Sequence, residues 1–119
     1  MASLVIKITS GIESLERCNQ GFTVATMGIA AGADVSVWLT GEAVRFAEPG
    51  FAETVHLELA ASFAEAVATI RDAGTLTACS QCLARRHLTA DALLPGVRVA
   101  GAAAFVEEVL APEAKALVY

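Results

Sequence analysis

Hydrophobic positions change their spacing repeatedly along this chain, and each change marks an element. "LVIKIT", residues 4 to 9, is a short β-rich run closed by the turn residues Ser10 and Gly11. From there Ile12, Leu15, Cys18, Phe22, Ala25 and Ile29 recur every three or four residues, which predicts a helix. Val24, Met27 and Ala31 widen its apolar stripe, so more than one side of it is expected to be buried. Gly21 and Gly28 weaken this helix by about 1 kcal/mol each relative to alanine, which points to close approach of another backbone. Gly32 stands at its C-terminal stop.

The pattern then returns to strand, "DVSVWLT" at 34–40, followed by Gly41 and a helical turn, "EAVRFA". Residues 47–56, with Pro49–Gly50, read as a loop. Ser62 with Glu65 forms a capping box that opens the helix "FAEAVATIRDA", and Gly74 stops it. "TLTAC" at 75–79 is the third strand. Thr89 caps a short helix, "ADALL", that ends at Pro95–Gly96. "VRVA" is a fourth strand, "AAAFVEEVL" a helix and "KALVY" a fifth strand. Strands alternating with helices predict an α/β fold with a mostly parallel sheet covered on both faces. Reactive groups in such folds gather beyond the carboxyl ends of the strands. Two turns qualify: Thr9–Ser10–Gly11 after the first strand and Cys79–Ser80 after the third.

Composition narrows the function classes. At 119 residues the chain is the size of one domain, yet 55% of it is hydrophobic and its mean hydropathy is +0.59. A small domain exposes much of its surface when alone, so a homo-oligomer is expected. A net charge of −5, with Arg85–Arg86 the only cationic cluster, argues against nucleic acid. The longest charge-free run, Cys18 to Ala33, is too short and too polar to span a membrane. Lys7 interrupts the N-terminal apolar run and does not fit a signal peptide, so a cytoplasmic location is expected. There the three cysteines are expected to be thiols.

The chemistry concentrates in "CSQCLARRHL", residues 79 to 88. Cys79 falls where a strand gives way to a helix, and backbone N–H groups at a helix start favour a thiolate. Arg85 and Arg86 follow about two turns later. Cys82 shares a face with Cys79 and is a candidate resolving thiol, although a small buried hydrophobe is an equal reading. Cys18, on the apolar stripe, takes that structural reading. Cys79, Cys82, His87 and His56 make a poor metal set, because the fourth ligand must come from a distant loop. No metal site and no cofactor are therefore expected. No Gly-rich phosphate loop, G-x-S-x-G or spaced acidic pair is present.

"LVIKITSG", "GADVSVWLTGEAVRFA", "CSQCLARRHL" and "LLPGVRVAGAAAFVEEVL", in this order, resemble the DsrE/DsrF-like (YchN-like) sulfur-relay family. The resemblance implies a three-layer α/β/α sandwich on a five-stranded parallel sheet, assembled as trimers or hexamers. It implies that Cys79 is the reactive cysteine, carrying sulfane sulfur as a persulfide between donor and acceptor proteins. On that reading Arg85 and the N–H groups after Cys79 stabilise the thiolate, Cys82 is an optional resolving thiol, and Thr9, Ser10, Gly11 and Ser80 line the pocket. Where the family commonly has glycine after the basic run, this chain has His87, which would have to tolerate a left-handed backbone. Two other readings stay open here: a Cys79–Cys82 thiol–disulfide or peroxide-responsive protein, and a non-enzymatic oligomeric module binding a small ligand.

Overall fold

A computed structural model describes residues 2–119. Five strands form one sheet: β1 (Ser3–Ile8), β2 (Asp34–Leu39), β3 (Thr75–Cys79), β4 (Arg98–Ala100) and β5 (Ala114–Val118). Their order is β4-β3-β2-β1-β5, and every neighbouring pair is parallel. The connections carry α1 (Leu15–Ala30), α2 (Phe63–Ala73), α3 (Ser80–Arg85) and α4 (Ala102–Val109), with short 3-10 segments between them. The helices lie on both faces of the sheet, so the α/β sandwich expected from the alternating pattern is the fold observed.

The two faces differ in chemistry because side chains alternate along each strand. Ile6, Ile8, Val37, Leu39, Leu76 and Ala78 are fully or almost fully buried and belong to one core with Phe22 and Ala25 of α1 and Phe63, Val67 and Ile70 of α2. Phe22 packs edge-on against Phe46 and Phe63, with ring centroids 5.2 and 5.8 Å apart, the arrangement that aromatic quadrupoles favour. Gly21 lets α1 settle on β1: a Cβ there would stand 2.6 Å from Ile8 Cγ1. What Gly21 and Gly28 accommodate is thus the side chains of Ile8, Leu4 and Val35 rather than another backbone.

The opposite face is polar and is covered by α4. Ser36 Oγ and Trp38 Nε1 both donate to Glu108 Oε1, at 2.6 and 3.1 Å, and Arg98 Nη2 donates to Glu108 Oε2. Arg98 Nε in turn donates to Thr77 Oγ1 at 2.9 Å. Burial works against the Glu108 carboxylate, but Ser36, Arg98 and Trp38 together outweigh it and hold the acid below its ordinary pKa.

Most local signals in the sequence are realised. Ser62 Oγ accepts the Glu65 N–H at 3.2 Å and caps α2, and Gly32 takes a left-handed φ of 88° after α1. "ADALL" departs from expectation: it forms only a 3-10 turn over Ala90–Ala92, and the Thr89 side chain makes no capping bond. Five residues before a proline are too few to propagate an α-helix. No helix among the described residues is long and apolar enough to cross a membrane.

Candidate functional site

Cys79 is the last residue of β3 and the N-cap of α3. A strand ending in an extended residue (φ −66°, ψ 123°) passes directly into helix, so Cys79 stands beside the free N–H groups of the first turn of α3, without a side-chain capping bond to them. Burial opposes its ionisation. The N–H and thiol of Cys82, the N–H of Gln81 and the charge of Lys7 together outweigh burial and hold the Cys79 thiol below its ordinary pKa. A thiol of this kind is a better nucleophile at neutral pH than a free cysteine.

Cys82 is buried at 8% exposure, one turn into α3. Its Sγ accepts the Gly41 N–H at 3.2 Å, from the turn that follows β2. Burial raises its pKa, and the neighbouring Cys79 raises it further, against the opposing pull of the Gly41 N–H and Arg86. The two cysteines are therefore driven apart in acidity, Cys79 down and Cys82 up. Of the two, Cys79 is the thiol whose setting favours the thiolate. Cys18 lies away from both in the core, where burial and the Glu13 charge push it up to about 12. All three cysteines are free thiols.

The arginines divide their work differently from expectation. Arg85 ends α3 with its side chain exposed. Arg86 is the one turned inward: Nε donates to Glu42 Oε1 at 3.1 Å and Nη1 to the Cys82 carbonyl at 3.0 Å. Glu42 also receives Arg45 Nε at 2.8 Å, so the 3-10 segment after β2 is tied to α3. His87 follows in the left-handed region at φ 56°. Its N–H bonds the Ala84 carbonyl while the Leu88 N–H bonds the Leu83 carbonyl, at 3.1 and 3.0 Å. That pair of bonds is the Schellman closure, in which glycine is the usual occupant. The structure thus uses the glycine-type turn and bears its cost with histidine.

A cleft of about 130 Å³ opens beside Cys79, lined by Lys7, Trp38, Thr40, Cys79, Ser80, Gln81, Gly101, Ala102 and Phe105. Of the pocket residues expected from the sequence, only Ser80 lines it. Thr9, Ser10 and Gly11 sit at the same end of the sheet but face elsewhere. Thr9 Oγ1 donates to the Tyr119 carbonyl, Ser10 is buried, and Gly11 packs against the Glu42 backbone. Lys7, Trp38 and Phe105 were not anticipated. For Lys7 and Trp38 the signal is the alternation in β1 and β2, which puts the two side by side in register on the polar face, whereas Phe105 comes from α4.

Among the described residues no group of three or more His, Cys, Asp or Glu side chains is placed to hold a metal ion. His56 and His87 are both exposed.

The fold can be set against known proteins. The structure matches the ychN protein from E. coli with a TM-score of 0.83 and 15% identity, over the whole of both chains. It matches MTH1491 from Methanobacterium thermoautotrophicum, a protein of unknown function, with a TM-score of 0.71 and 15% identity, again over the whole of both chains. At that identity the likeness concerns the fold. No match is found among the curated proteins. The model of the DsrE/DsrF-like family matches residues 2–116, nearly the entire sequence, and the chain belongs to that family.

Proposed function

We propose that this protein is a sulfur carrier in which the Cys79 thiolate takes up sulfane sulfur as a persulfide and passes it to a partner protein. The observation that carries this reading is the setting of Cys79: a thiol of lowered pKa at a strand end, opening onto a small cleft. The family that the chain belongs to includes sulfur-relay proteins, which supports the same chemistry. A relay thiol has to be nucleophilic and reachable, and Cys79 is both, whereas Cys18 and Cys82 are buried. Free thiols throughout suit the reducing cytoplasm, where we place the protein. Incubation with a sulfane-sulfur donor, followed by peptide mass spectrometry, tests it. One extra sulfur atom should appear on the Cys79 peptide and be missing in Cys79→Ser.

The three-residue spacing of Cys79 and Cys82 on α3, and the mutual influence of the two thiols, favour a second reading, in which the same pair closes reversibly to a disulfide. That reading requires Cys82 for every thiol reaction of the protein, and the carrier reading does not.

The carrier is proposed to work as a homo-oligomer, a trimer or a hexamer. Edge strand β5 is exposed over most of its length, with Leu117 and Val118 open, and Val106 of α4 and Leu110 just after it are exposed as well. An unpaired edge beside apolar side chains is a surface that proteins ordinarily cover. Light scattering across a dilution series measures the subunit number.

A further inference from the structure

The cleft beside Cys79 has a charge pattern that the thiol does not explain. Lys7 lies on the second-last position of β1, half-buried, with its ammonium 4.9 Å from the centre of the Phe105 ring. A lysine set against an aromatic face is partly stripped of water, and among the described residues no carboxylate pairs with it. Among the described residues no acidic side chain lines the cleft, in a chain whose net charge is −5. Trp38 and Phe105, edge to face at 5.5 Å, form an apolar wall that lowers the local dielectric and strengthens the field of the ammonium. The start of α4 contributes in the same sense. Ala102 lines the cleft, the N-cap is Gly101 with no capping side chain, and no acidic residue occupies the first turn.

We infer that this cleft admits small anions, that Lys7 is the residue that selects them, and that the donor loading Cys79 is a small anionic sulfane-sulfur compound. The last clause rests on the sulfur-carrier reading; the first two do not. A volume of about 130 Å³ is well below the roughly 300–1,000 Å³ of pockets that enclose drug-sized ligands, so a compact anion is the size that fits. With thiosulfate as donor, the Cys79 thiolate forms a bond to the sulfane sulfur. The sulfur–sulfur bond of thiosulfate breaks, and its electron pair leaves with sulfite. The product on Cys79 is a persulfide anion, so no oxidant or reductant is consumed. Lys7 is a positioning residue in this step: it holds the incoming negative charge near the thiolate, which would otherwise repel it.

Iodoacetate and iodoacetamide test the selection directly, because they are nearly the same size, alkylate the same thiolate and differ in charge. The ratio of their rates at Cys79, resolved by mass spectrometry on the full chain, cancels any change in thiolate content. The wild-type ratio should favour iodoacetate by about fivefold or more relative to glutathione, and added salt should reduce that preference. Lys7→Met should bring the ratio down to the glutathione value, and Lys7→Arg should retain it. A wild-type ratio equal to that of glutathione overturns the inference without any variant, and so does an unchanged ratio in a folded Lys7→Met protein. Thiosulfate loading is followed in parallel. A shifted ratio without loading from any donor would overturn the carrier reading and the donor assignment, while loading with an unmoved ratio would overturn Lys7 selection alone.

Discussion

The Gly41 N–H donates to the Cys82 sulfur across 3.2 Å, joining the turn after β2 to the second cysteine of α3. Gly41 holds that N–H in place at φ 56°, where a Cβ would stand 2.6 Å from the Thr9 carbonyl oxygen. Three strand ends are thereby locked together around Cys79. The lock explains how a helix of only six residues is kept in register with the sheet. Gly41→Ala adds both a clash and a strained backbone, and we expect it to cost about 2 kcal/mol. An unfolding free energy from urea denaturation that falls by less than a few tenths of a kcal/mol would contradict the account.

Cys82 acts on Cys79 through its thiol as well as its backbone. Cys82→Ala removes the thiol donor and leaves the N–H groups. The apparent pKa of Cys79, read from alkylation rate against pH, should therefore rise while remaining below the free-cysteine value of about 8.5. A fall would mean that Cys82 opposes the thiolate.

Glu108 joins α4 to β2 and β4 and is held below its ordinary pKa. A carboxylate with a lowered folded-state pKa contributes stability above its unfolded pKa and loses it as pH falls through the folded value. Unfolding free energy should thus decline on acidification through the carboxylate range, and Glu108→Gln should flatten that decline. Glu108→Gln should also be less stable than the parent at neutral pH, because Arg98 loses its counter-ion.

His87 occupies a left-handed position that suits glycine. His87→Gly removes a Cβ penalty of roughly 1 kcal/mol, and thermal unfolding should show a stabilisation of that order. Because the side chain is exposed, thiol reactivity at Cys79 should not change.

Much of this arrangement is legible in the chain. The helix boundaries at Gly32, Ser62 and Gly74 follow from capping chemistry that acts within a few residues. The place of Cys79 follows from a β-rich run meeting a helix. His87 was identifiable as the replaced glycine, and its φ agrees. What could not be read depends on contacts between distant residues. Thr9, Ser10 and Gly11 reach the right end of the sheet yet turn toward Tyr119 and Glu42, a choice made by packing across the chain. Arg85 and Arg86 are equivalent by sequence, and the positions of Glu42 and the Cys82 carbonyl separate them. Lys7 looks like a break in an apolar strand until the register places it beside Trp38 and the alternation turns it to the Cys79 face.

The central claim is that Cys79 is an activated thiolate that accepts sulfane sulfur. Its most direct test is residue-resolved mass spectrometry of the wild-type chain after brief exposure to thiosulfate at neutral pH, with Cys79→Ser alongside. The account predicts an added sulfur atom confined to the Cys79 peptide, removed by a reducing thiol and absent from the variant. Sulfur appearing equally on the variant, or no sulfur on Cys79 from any sulfane donor, would contradict it.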